Sequence, residues 1–266
     1  MATAIRLRAV RMVAPQGFGY LGQALSSAEQ FAVLYGKALR PGIDRLVVSP
    51  GHYVIAAFAA AAETGLLSDA DLAGYGKDGS PVEAIGTERT PLLDYTCGSL
   101  GQGLSAAAGF ALSDRLRHAA DPAPGDTTGR YTYALISDGE LEEGQVWEAA
   151  LFAGHHKLGR LIVLLDANNS QVDGPVDRIT TLEPITAKWR AFGWQALDVD
   201  GHDLTAIAAA IETAQDSSAP TLIACRTSTG HGLSCLPPDA DGHFIKLPPE
   251  LAEAAIAELT EALAKT

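Results

Sequence analysis

The sequence predicts an α/β fold in which a parallel sheet carries helices on both faces. Short continuous apolar runs alternate with longer segments of helical periodicity, the pattern of repeated strand–helix–strand units. The runs lack a polar face, as strands buried on both sides require. At 266 residues, 47% of them hydrophobic, the chain can bury a core of this kind.

Gln23 to Leu39 carries apolar residues at helical spacing (Leu25, Phe31, Val33, Leu34, Leu39), and Pro41-Gly42 stops it. Leu46 to Val48 is a short apolar stretch before Ser49-Pro50-Gly51, and Tyr53 to Ala62 reads as a buried, Ala-rich helix. Leu72 to Thr96 mixes Gly, Pro and charge without periodicity, so it reads as a long irregular loop of the functional kind. Leu104 to His118 is a helix, Asp121 to Gly129 a surface turn, and Tyr131 to Ile136 a strand. Glu140 to Lys157 is helical, and Leu161 to Leu165 is an apolar run suited to a parallel sheet. Then follow a strand at Trp194 to Val199, a helix at Leu204 to Gln215, a strand at Thr221 to Cys225 and a helix from Pro249. The expectation is one α/β domain over residues 1–266.

Lys plus Arg number 19 and Asp plus Glu 32, a formal net charge of −13. Nucleic-acid and anionic-membrane surfaces need a basic footprint, so neither is an expected partner. The longest apolar run, Val54 to Ala62, is too short to span a bilayer, and Arg6, Arg8 and Arg11 precede no signal-like apolar stretch. Cys97, Cys225 and Cys235 show no metal spacing and cannot all pair. A soluble, acidic, cytoplasmic globular protein is expected.

Two strand ends carry concentrated polar groups. One runs into Ser137-Asp138-Gly139-Glu140, the next into Asp166-Ala167-Asn168-Asn169. A right-handed crossover returns the second strand parallel to the first, placing Asp138 and Asn168 on one edge of the sheet, where α/β ligands bind. A carboxylate plus a carboxamide oxygen suits Mg²⁺ or Ca²⁺ rather than zinc. Sparse protein ligation of Mg²⁺ is usually completed by phosphate oxygens and water. Gly139 permits close backbone approach, and the helix after it offers amides to an anion. Alone, Asp138 and Asn168 would read as a cap and a turn.

The segments SDGELEEG (137–144), AALFAGHHKLGRLIVLLDANNSQVDG (149–174) and CGSLGQGLSAAAGFAL (97–112) resemble the diphosphate-binding half of transketolase. The likeness extends through SPGH (49–52), FGWQALDVDGHD (192–203) and PTLIACRTSTGHG (220–232). The resemblance implies the PP-type thiamine-diphosphate-binding domain, with thiamine diphosphate and Mg²⁺ as cofactors. It makes Asp138 and Asn168 side-chain metal ligands and the Ser170 carbonyl a third. Gly139 and Glu140 would lie against the diphosphate, with Glu143 in the polar network behind it. Gly98, Leu100 and Gly101 would line the cofactor path, and His52 and His243 would face the reacting carbonyl as catalytic groups. Ser137 replaces the first Gly of the family's triplet.

Other departures concern the substrate. Transketolases carry Gly-His-Pro near the amino terminus and again ahead of the Gly-rich helix. Here the first region reads Ala-Pro-Gln-Gly-Phe-Gly, placing Gln16 near the expected His, and the second, around Ile85 to Thr90, has no His. Glutamine donates a hydrogen bond but cannot cycle a proton near neutral pH. Of the remaining histidines, the adjacent His155 and His156 face different directions, His202 reads as capping chemistry, and His231 suits either a turn or an approach to the diphosphate.

In this superfamily the cofactor is activated by a Glu from a second, pyrimidine-binding domain. The chain stops at Thr266, so that domain is expected on a partner, a C-terminal transketolase-like subunit, in an α2β2 hetero-oligomer. The resemblance implies transfer of a two-carbon ketol unit from a ketose-type donor to an acceptor carbonyl. The missing histidines leave a split 2-oxo acid decarboxylase or E1-type acyl-transferring subunit with a pyruvate-like donor as the alternative. A non-catalytic relative is a third reading, disfavoured by intact Asp138, Gly139 and Asn168.

Overall fold

The computed structural model describes residues 1–120, 129–238 and 240–265. Eight strands occur among them: β1 (Phe18–Gly19), β2 (Arg45–Pro50), β3 (Tyr95–Cys97), β4 (Thr132–Ser137), β5 (Leu161–Ala167), β6 (Gln195–Asp200), β7 (Thr221–Arg226) and β8 (Ile245–Lys246). Six of them form a fully parallel sheet in the order β3-β2-β4-β5-β7-β6. The expected mixed α/β architecture is therefore present.

The two-sided burial explains why the strands read as continuous apolar runs. Tyr133 and Leu135 of β4 join one core with Ile162 and Leu164 of β5, whereas Ala134, Ile136, Val163 and Leu165 join the other. Successive side chains point to opposite faces, so each residue of the run fills a core. Helices Ala2–Val13, Leu21–Val33, Val54–Glu63, Leu204–Gln215 and Pro249–Ala264 cover the first face. Helices Gln102–Ala120, Gly144–His155 and Ile185–Ala191 cover the second.

Several elements differ from the sequence expectation. The helix expected over Gln23–Leu39 is α-helical at Leu21–Val33 and ends in a π-helical turn, Leu34–Ala38. The loop expected from Leu72 to Thr96 gives its last residues to edge strand β3, too short to show a period. The helix expected from Glu140 is split into a 3₁₀ turn, Gly139–Glu142, and the α-helix Gly144–His155, with Glu143 extended between them. The split follows from Glu140, whose side chain turns inward to Ser49 and Gly101 instead of along a helix surface. Helix Ala2–Val13 was masked by arginines in its pattern. Arg6 is buried there, its guanidinium held bidentately by Glu29 at 2.8 and 2.6 Å and by the Leu25 carbonyl. The turn expected at 121–129 falls, but for Gly129, outside the described residues.

The remaining strands position the site. β1 and β8 pair antiparallel, Phe18 with Lys246 and Gly19 with Ile245. This ribbon brings Tyr20 and His243, from opposite ends of the chain, beside the carboxyl edge of the sheet. Among the described residues no helix is long and apolar enough to cross a membrane.

Candidate active site

Ser137, the last residue of β4, pairs with Asp166 of β5, so the two polar strand ends lie side by side. Asp138 is 4% exposed and Asn168 7%. The Asp138 carboxylate accepts from the backbone N–H of Gly139 at 2.9 Å and of Asn169 at 2.6 Å. Asn168 accepts through Oδ1 from the Ser170 N–H at 2.9 Å. Asp138, Asn168 and Ser170 are thereby gathered into one turn-rich corner.

Behind them stands Asp166, which in the sequence reads only as part of a polar strand end. It is fully buried and accepts five hydrogen bonds. Ser26 (2.5 Å), Tyr53 (2.8 Å) and the Asn168 amide (2.8 Å) donate to Oδ2; Gln30 (3.1 Å) and Thr227 (2.5 Å) donate to Oδ1. The Asn168 amide also donates to the Tyr53 hydroxyl at 3.1 Å. With its NH₂ anchored on this hub, Asn168 can turn only its carbonyl oxygen to a ligand. A lone aspartate at the end of an apolar run carries no spacing signal. Ser26 and Gln30, four apart on a buried helix, were the available hint.

Burial, and secondarily the nearby Asp166, push the Asp138 carboxyl up to about 7, against the pull of the two backbone donors. Burial likewise pushes Glu140 up to about 7. Glu140 is fully buried; its Oε1 accepts from Ser49 at 2.5 Å and from the Gly101 N–H at 2.6 Å, while Oε2 has no partner among the described residues. The bond to Ser49 crosses the point between β2 and β4 where the strand order reverses, the usual ligand crevice of such sheets. Glu140 thus braces the 98–101 segment from behind. Gly101 has φ +85°, and a Cβ there would lie 2.9 Å from both Gln145 and Glu143. Gly98 is exposed and Leu100 partly so, which leaves this segment accessible along the crevice. Glu143, expected in the polar network, is exposed, with no side-chain hydrogen bond among the described residues.

His52 and His243 do come together, with ring centroids 5.1 Å apart. Tyr20 lies 5.0 Å from His52 and 5.7 Å from His243, and Phe244 packs on Tyr20 at 5.1 Å. Burial, then the neighbouring His243, push His52 down to about 3; burial also lowers His243. Both rings are neutral donors or acceptors near pH 7. Gln16 is not among them: its amide donates to the Tyr75 carbonyl at 3.1 Å and packs on Gly76. Tyr20, four residues further along, is instead the residue that packs against both rings.

The other histidines lie apart. His202 Nδ1 donates to Glu29 at 3.2 Å, its Nε2 accepts from the Ser228 N–H at 3.0 Å, and His231 stacks on it at 3.5 Å. It does not cap the following helix, a role taken by Asp203. Glu29, His202 and His231 are spaced closely enough for a metal. With Glu29 bound to Arg6 and both His202 nitrogens engaged, the group serves as a brace.

The corner at Asp138 fits a hard divalent cation: one carboxylate, one oriented carboxamide oxygen and a neighbouring carbonyl, all oxygen donors. The charge balance of the corner is in keeping with one. No Lys or Arg donates to Asp138, Glu140, Asp166 or Asn168 among the described residues. A diphosphate in so acidic a corner needs a cation between itself and the carboxylates.

Residues 1–263 match the family model described as transketolase, thiamine diphosphate binding domain. The 6-deoxy-6-sulfo-D-fructose transketolase subunit of Clostridium sp. (strain MSTE9) is 37% identical over 97% of this chain and 94% of its own length. Human transketolase is 32% identical over 97% of this chain, which spans only 41% of it. Among solved structures, the transketolases of Campylobacter jejuni and Leishmania mexicana superpose with TM-scores of 0.87 and 0.88. They are 28% and 29% identical, each over 97% of this chain and 42% and 40% of theirs.

Proposed function

We propose that this chain, which belongs to the transketolase family as its thiamine diphosphate binding domain, is the Mg²⁺- and diphosphate-holding subunit of a split transketolase-like enzyme. The complete enzyme transfers a two-carbon ketol unit from a ketose-type donor to an acceptor carbonyl. The observation that carries the cofactor reading is the Asp138–Asn168–Ser170 corner, built from oxygen donors and free of basic partners. Asp138, the Asn168 carbonyl oxygen and the Ser170 carbonyl would hold Mg²⁺, with the diphosphate between the metal, Gly139 and the 98–101 segment. The cofactor supplies a carbanion-stabilising centre when bound. This chain's residues do the rest. Asp166 fixes the orientation of Asn168, and Glu140 holds the 98–101 segment against β2. His52 and His243, both neutral, offer hydrogen bonds to substrate oxygens at the reacting carbonyl.

The split architecture draws support from the Clostridium relative, whose name describes a subunit and which this chain matches nearly end to end. The pyrimidine-binding domain would then sit on a C-terminal-type partner, in an α2β2 assembly in the cytoplasm. That relative acts on a sulfonated ketose, so a ketose bearing an anionic terminal group is a reasonable donor class to test first.

The test reconstitutes the chain with its partner, thiamine diphosphate and Mg²⁺, and follows consumption of a ketose phosphate, a sulfonated ketose and pyruvate in parallel. Cleavage of a ketose with transfer to an aldehyde is expected. Pyruvate turnover without ketose cleavage would overturn the ketol reading in favour of a 2-oxo acid donor.

A further inference from the structure

Gln23 lies in the first turn of helix Leu21–Val33 and is 1% exposed. Its amide nitrogen stands 2.9 Å from His243 Nδ1, and its Oε1 is buried without a partner among the described residues. A carboxamide has two orientations. With the NH₂ on the ring, the carbonyl oxygen and one N–H are left without a partner among the described residues; turned over, both N–H groups are left so in the same buried place. Orphaned buried N–H groups are rarer than under-satisfied carbonyls, so the NH₂ faces the ring. Nδ1 then accepts, and in a neutral imidazole the proton must sit on Nε2.

The backbone around this bond is locked. A Cβ on Gly22 would fall 1.8 Å from the Gly242 carbonyl oxygen, so helix start and histidine loop touch main chain to main chain. Asp241 accepts from the backbone N–H groups of His243 and Phe244 at 2.8 and 3.3 Å, fixing the loop from its other side. His243 makes no other ring hydrogen bond among the described residues. Its Nε2 edge, away from Gln23, is the edge left for a ligand.

We propose that Gln23 is a positioning residue for His243, holding the ring in the Nε2-protonated tautomer so that its free edge donates to a carbonyl or hydroxyl oxygen of the substrate. The tautomer assignment stands on the geometry alone; its use on substrate rests on the ketol-transfer reading.

The test uses the full chain labelled with ¹⁵N-histidine. Long-range ¹⁵N–¹H correlation of the imidazoles distinguishes the two tautomers, and His243→Asn identifies the His243 signals. Wild type should show His243 protonated on Nε2. Gln23→Glu, an acceptor when ionised and nearly the same size, should move the proton to Nδ1. Gln23→Leu should leave a tautomer mixture, with unchanged signals from the remaining histidines reporting an intact fold. An Nδ1-protonated wild type, or one tautomer throughout all three proteins, would overturn the assignment. In the reconstituted enzyme both Gln23 variants should lower kcat roughly 10- to 100-fold. The loss with Gln23→Glu is the part that simple packing does not predict. Tautomers that shift as expected while ketose turnover stays at the wild-type rate would overturn the positioning role and leave the ketol reading standing. A wild-type complex that cleaves no ketose would defeat that reading, with the tautomer still decided by the spectra.

Discussion

The anchor around Asp166 and the chamber around His52 share one edge of the sheet and are built in opposite ways. In the anchor, five donors converge on one buried carboxylate, and the ligand-facing groups are fixed by hydrogen bonds before any ligand arrives. In the chamber, Tyr20, His52, His243 and Phe244 meet through tilted and edge-on ring contacts, and one hydrogen bond, from Gln23, orients the group. A constant ligand such as a cofactor suits a site set in advance by a polar network. A substrate bound and released each turnover suits rings whose polar edges stay available. The difference implies that anchor mutations should act on binding and stability together, whereas chamber mutations should act on turnover.

Asp138→Ala should have the largest effect, abolishing Mg²⁺-dependent binding of thiamine diphosphate in calorimetric titration while circular dichroism stays native. Full activity in that variant would remove the metal assignment. Asp166→Ala should follow, because it strands buried donors from Ser26, Gln30, Tyr53, Asn168 and Thr227. A loss of roughly 3 kcal/mol or more in urea unfolding is expected, together with weakened metal binding. If stability held and only turnover fell, the contrast between anchor and chamber would break.

The two regions should also respond to pH with opposite sign. His52, lowered to about 3 by burial, binds fewer protons folded than unfolded below pH 6.5, so its contribution to stability is lost on acidification. The stability difference between wild type and His52→Gln should therefore shift against wild type by at most about 1.4 kcal/mol per pH unit between pH 6.5 and 4. Glu140, raised to about 7, binds more protons folded than unfolded above pH 4.5. In metal-free buffer, wild type should thus lose ground to Glu140→Gln as pH rises from 5 to 7. The smallest effect belongs to Gln16→Ala, which removes one half-buried hydrogen bond, costing about 1 kcal/mol, and leaves kcat unchanged. A large kcat loss there would show that Gln16 acts on the substrate after all.

Much of the architecture was legible because burial on both faces leaves a direct trace in composition. Leu204–Gln215 matches its expected bounds, and β4, β5 and β7 start within a residue of theirs. Asp138 and Asn168 were legible because a crossover of ordinary length fixes where a second strand ends. What escaped depended on pairing across long separations. Arg6 disguised an amino-terminal helix until Glu29 supplied its counter-charge, Asp166 gained importance only from donors on three other segments, and Tyr20 meets His243 only through the pairing of β1 with β8. Edge strand β3 is defined by its neighbour β2 and by little of its own.

The bond between Gln23 and His243 joins residues 220 positions apart. Closing so long a loop carries the entropy cost of the intervening chain, and contacts of that separation tend to form last. During synthesis Tyr20 and Gln23 leave the ribosome early and wait for almost the whole chain before their partner arrives. The metal corner, with Asp138, Asn168 and Ser170 close in sequence, can assemble sooner, while Thr227 completes the hydrogen bonds to Asp166 only late. The chamber is in this sense a record of completion: an arrested chain ending before His243 could hold the elements of the metal corner and still lack the group that meets the substrate.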